Sequence, residues 1–69
     1  MSEYLNKLGK SIAKKRQDAS LTQSGLALKC DMDRQAMHKI EKGMVNISVM
    51  TLKKIAEEIG VSPKDLLDF

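Results

Sequence analysis

Residues 21–43, LTQSGLALKCDMDRQAMHKIEKG, divide into two short helical segments around a tight turn. Thr22 opens the first segment, because its hydroxyl can accept one of the backbone N–H groups that the first turn of a helix leaves without a partner. Leu26, Ala27 and Cys30 then fall at the i, i+1, i+4 spacing of one apolar face. The turn is expected on Cys30, Asp31 and Met32, since aspartate tolerates the left-handed backbone better than most residues that carry a side chain. Asp33 supplies a second N-cap, the next helix runs to about Lys42, and Gly43 stops it.

The second of these helices is hydrophilic on its outer side. Met37 and Ile40 point one way, while Arg34, Gln35, His38, Lys39 and Lys42 take the remaining faces. Solvated helices carry the same residue types for solubility. Their position directly after a capped helix and a short turn is what points to double-stranded DNA, whose major groove admits an α-helix. Arg or Lys reads guanine there, and Gln or Asn reads adenine. Arg34, Gln35 and Lys39 suit base edges, and His38 is placed with them.

Outward from this core, the periodicity predicts five helices and no strand, an all-α class. Helix one covers about Glu3 to Asp18, with Leu5, Leu8, Ile12 and Ala13 as its stripe. Helix four follows the loop Met44–Ile47: Ser48 caps it, Leu52, Ile55, Ala56 and Ile59 form its apolar face, and Gly60 ends it. Ser62, Pro63 and Asp65 start a short helix five whose apolar side is expected from Leu66, Leu67 and Phe69. No repeat, low-complexity tract or interdomain linker interrupts the chain, so residues 1–69 are taken as one domain.

A chain of 69 residues has room for one small domain and for no separate sensor or catalytic module. Domains of this size bury only about 60% of their unfolded surface, so a second copy would add useful apolar burial. One cysteine and one histidine give neither an internal disulfide nor a four-ligand zinc set, and no metal or cofactor is expected. No stretch approaches the roughly 20 apolar residues of a membrane span, and no signal peptide is visible, which predicts a cytoplasmic protein without a membrane partner. There is no nucleophile with a base and an orienting group, and no glycine-rich phosphate loop, so no enzyme is expected. Charge is uneven. Residues 1–43 hold nine Lys/Arg against five Asp/Glu, and residues 44–69 hold three against four, so the net +3 comes from the half with the motif.

The order LTQ at 21–23, LA at 26–27, IEKG at 40–43 and TLKKIAEEIGVSPKDLL at 51–67 resembles the phage-repressor and Cro-like (XRE) helix-turn-helix family, from about Leu8 to Leu67. The resemblance implies a five-helix lambda-repressor-like domain with the helix-turn-helix at helices two and three. It also implies an ion pair between Arg16 and Glu41 that orients the recognition helix. Gln23 would reach a DNA phosphate, joined by Thr22, Ser24 and Asp33 at the helix starts, with Lys42 and Asn46 anchoring the other side. Ile47, Val49, Met50, Leu67 and Phe69 exceed the needs of one small core, and in this family helices four and five often build a two-fold dimer. Such a dimer would place two recognition helices about 34 Å apart on an inverted repeat.

The compact format resembles restriction-modification controllers, Cro-like phage regulators and some antitoxins. A regulator acting on an operator is the first expectation. An antitoxin-type module is the alternative, and polymerase or a toxin would be the possible protein partner. Three positions depart from the family pattern. Asp31 stands where glycine is usual, Gly25 where an acidic or polar residue is common, and Ile47 where proline is common, which leaves an apolar residue in a loop for a partner subunit to cover. Gly25 would make helix two soft, or would admit another element close to its backbone. His38 and Cys30 are expected to be an interface residue and a small core hydrophobe, not pH or redox switches.

Overall fold

The computed structural model describes residues 2–69. Among these residues the chain forms five helices and no strand: α1 Glu3–Asp18, α2 Gln23–Lys29, α3 Arg34–Glu41, α4 Val49–Ile59 and α5 Pro63–Leu66. Each begins at a residue whose oxygen accepts a backbone N–H of the first turn: Ser2, Thr22, Asp33, Ser48 and Ser62. At α5 the arrangement is a full capping box, with Ser62 N–H donating to Asp65 Oδ2 at 3.0 Å.

The first four helices end alike. After α3, Gly43 N–H donates to the Ile40 carbonyl and Met44 N–H to the Lys39 carbonyl, a Schellman motif with Gly43 in the left-handed conformation at φ 72°. The same pair of bonds closes α2, from Asp31 to Leu28 and from Met32 to Ala27, with Asp31 at φ 57°. It also closes α1, from Ser20 to Gln17 and from Leu21 to Arg16, with Ser20 at φ 60°. At α4, Gly60 takes the left-handed position and Val61 N–H reaches the Ala56 carbonyl. The position of Asp31 thus demands a left-handed backbone, and aspartate fills it where the family pattern has glycine.

Ile12, Leu26, Met37, Ile55 and Leu66, one from each helix, are fully buried at the centre of the core. Leu8, Ala27, Cys30, Ile40, Leu52 and Ala56 complete it, and Leu21, Met32, Ile47, Ile59 and Val61 lean against it. Ile47 is half-buried, with part of its side chain packed on its own subunit's core. One expectation changes here. Helix five closes at Leu66, with Leu67 as its C-cap. Phe69 turns back onto α1, where its ring meets Tyr4 edge-on at 5.1 Å between centroids.

Gly9 was not singled out by the sequence. A Cβ there would stand 2.7 Å from the Ile40 carbonyl oxygen and would press on the Glu41 carbonyl group as well. Only glycine allows α1 to lie this close to the end of α3. Gly25, by contrast, has no other element against it: an added Cβ would meet the Thr22 hydroxyl at 3.0 Å.

Candidate nucleic-acid interface

At about 100° per residue, Arg34, His38, Lys42, Gln35 and Lys39 share one continuous arc of roughly 140° on α3 and its C-cap. All five are exposed. Met37 and Ile40 occupy the opposite side and Glu41 the edge next to Arg34, and all three are buried. The helix therefore turns one side wholly to the core and presents on the other a surface of three cationic or amide hydrogen-bond donors, an imidazole and the Lys42 ammonium.

What fixes that surface is the carboxylate of Glu41, the one charged side chain buried among the described residues, at 8% exposure. Arg16 on α1 grips it with both arms of the guanidinium, Nε to Oε2 at 2.7 Å and Nη2 to Oε1 at 3.1 Å. The remaining arm, Nη1, donates to the Leu21 carbonyl at 2.9 Å in the link between α1 and α2. Gln23 Nε2, at the first position of α2, donates to Glu41 Oε1 at 3.0 Å. Three helices are thus pinned at one point. Among the described residues, no fully buried side-chain polar atom lacks a partner, so the charge is compensated as burial requires.

The role of Gln23 is accordingly different from a simple phosphate contact. One of its amide hydrogens is committed to Glu41, and the second has no hydrogen bond among those described. Thr22 and Asp33 are likewise occupied, Thr22 Oγ1 accepting from Gly25 N–H at 2.9 Å and Asp33 Oδ1 from Ala36 N–H at 2.8 Å. Their side chains serve as caps, which leaves Ser24, Lys42 and Asn46 as the exposed side chains of that group with no hydrogen bond among those described. Both caps fix the helix starts that flank the exposed arc.

The residues expected at a dimer contact separate into two kinds. Val49 and Met50, on the first turn of α4, are 79% and 69% exposed. Leu67 and Phe69 are less accessible, at 39% and 49%, and Ile47 is half-buried. Val45 and Leu28 are also exposed, and isolated apolar residues in a loop or on a short helix leave no periodic signal in the sequence. Cys30 lies in the core, and burial, with Glu58 nearby, pushes its thiol above the usual range. No group of three or more His, Cys, Asp or Glu among the described residues is placed to hold a metal ion, and no helix is long and apolar enough to cross a membrane.

A capped helix, a left-handed turn and a second helix with a buried apolar side and an exposed donor side are the parts of a helix-turn-helix protein. The helix-turn-helix family pattern matches residues 12–66, and the chain belongs to that family. It is 43% identical over 51 residues to the control protein C.BamHI of Bacillus amyloliquefaciens, an alignment covering 74% of this chain and 63% of that protein, less than two thirds of its length. The restriction-modification controller protein C.AhdI of Aeromonas hydrophila has a similar structure, with a TM-score of 0.86 at 29% identity over 90% of each chain. The controller C.Esp1396I, solved as a tetramer with its natural 35 base-pair operator, gives a TM-score of 0.81 at 29% identity, covering 99% of this chain and all of that one.

Proposed function

We propose that this protein is a sequence-specific transcriptional regulator of the restriction-modification controller kind, a homodimer that occupies an inverted-repeat operator. The observation that carries the proposal is the exposed arc of α3, held rigidly to α1 and α2 through Arg16, Gln23 and Glu41. In this reading Arg34, Gln35, His38 and Lys39 face base edges. The second amide hydrogen of Gln23, with Ser24, Lys42 and Asn46, meets phosphates that set register without reading sequence. Thr22 and Asp33 act on the backbone contact through the helix starts they cap. Val49, Met50 and Leu67 supply the apolar contact between copies. Nothing in this scheme asks for catalysis, and its partner is duplex DNA in the compartment that holds the genome.

Kinship with C.BamHI and C.AhdI supports the controller assignment, and the operator complex of C.Esp1396I supports DNA as the partner. Selection of bound duplexes from a random library at near-physiological salt tests it. An enriched inverted repeat with half-sites about one turn apart is expected. A pool that remains random would overturn the reading in favour of a module whose partner is a protein.

A further inference from the structure

The donor arc of α3 has two flanks, and they differ. Arg34, His38 and Lys42 form one, exposed and away from the cleft that the other borders. Gln35 and Lys39, one helical turn apart, border an open cleft of about 430 Å³ between α3 and the loop that leads to α4, lined also by the apolar Met32, Ala36, Ile40, Val45 and Ile47, with Asp33 and Thr51 as its other polar members. We propose that this cleft receives the 5-methyl group of a thymine, and that Val45 is a specificity-determining residue.

The inference rests on the DNA-binding reading above and sharpens it at one base pair. In the major groove an A·T pair presents the N6 and N7 atoms of adenine beside the C5-methyl of thymine, and a G·C pair has no such methyl. A side chain that donates to and accepts from adenine therefore discriminates best when an apolar surface lies next to it to take the methyl. Gln35 and the Val45 side of the cleft have that relation. Ala36, also in the lining, contributes only a methyl group and leaves the cleft open. Ile47 belongs to the apolar set that leans on the core, whereas Val45 does not and remains 37% exposed. Val45 is thus the most accessible apolar side chain of the cleft lining and the one open to a methyl group that enters it. Lys39 on the same rim supplies a cation facing the DNA.

The test begins with the site enriched by selection. Each thymine in it is replaced in turn by deoxyuridine, which removes one methyl group and leaves base pairing intact, and binding is measured for the full chain. One position in each half-site is expected to lose about four-fold, the value of one buried methyl group. Val45→Ala should bind the thymine site more weakly by a similar factor per half-site and lose nothing further from uridine at that position, while Val45→Thr, which keeps the branched shape, should fall between. A flat uridine scan with wild-type protein on an enriched site would overturn the inference and leave the function standing. Equal sensitivity of wild type and Val45→Ala to the same uridine would overturn the role of Val45. Failure to enrich any site would overturn both the function and the inference.

Discussion

Glu41 accepts three hydrogen bonds from α1 and α2, and those bonds hold the outer face of α3 in place. Arg16→Ala would leave the carboxylate buried without its cation, and about 3–5 kcal/mol of stability should be lost in urea unfolding. Gln23→Ala removes one bond to a charged acceptor and should cost less, about 1.5–3 kcal/mol, while weakening DNA binding on all sequences alike. A Gln23→Ala protein with wild-type stability would remove Gln23 from the network. Cys30 gives a chemical check at the same scale. Burial raises its thiol, so less thiolate is present at mildly alkaline pH, and alkylation of the native protein should be much slower than of the urea-unfolded chain. The pairing of Arg16 with Glu41 was legible only through family resemblance, because 25 residues separate them. The share of Gln23 in it was not legible at all, since an amide reaching sideways to a carboxylate on another helix leaves no mark in the order of residues.

Helix boundaries were the most legible part of the chain. Thr22, Asp33, Ser48 and Ser62 each declare a start by chemistry that acts within three residues, and Gly43 and Gly60 declare two ends. Ser20 and Gly9 escaped notice for opposite reasons: a left-handed serine has no compositional signature, and the need for glycine at position 9 comes from a carbonyl that lies far along the chain. At this scale two substitutions should stabilise. Asp31→Gly relieves the left-handed backbone at the end of α2 and should add up to about 1 kcal/mol. Gly25→Ala should add up to a comparable amount from helix propensity, less what it costs the Thr22 cap oxygen, 3.0 Å from the new methyl, to shift by a few tenths of an ångström. Gly9→Ala should do the reverse and drive α1 from α3. Thermal melting of the three variants checks all of this, and a stabilised Gly9→Ala would contradict the close approach of those helices.

A single small chain cannot span two half-sites, so the whole-molecule account depends on association. Val49 and Met50 lie exposed at the start of α4, and Met50→Lys should leave the fold intact while shifting sedimentation from dimer to monomer and weakening operator binding. The helix count and the all-α class were plain in the sequence. The fate of its surplus apolar residues was not, because composition cannot distinguish Ile47 leaning on the core, Phe69 resting on Tyr4 and Val49 left in solvent. Binding should also fall steeply with salt. Lys42→Ala should lower the slope of log affinity against log salt by about one per subunit. The most direct measurement compares wild type and Arg34→Ala on the selected site and on a scrambled duplex of equal length, at one near-physiological salt concentration. Wild type should prefer the selected site by about a thousand-fold or more. Arg34→Ala should cut that preference by roughly five- to 150-fold per half-site, with binding to the scrambled duplex little changed. Equal losses on both duplexes, or an undiminished preference, would contradict the claim that the exposed arc of α3 reads sequence.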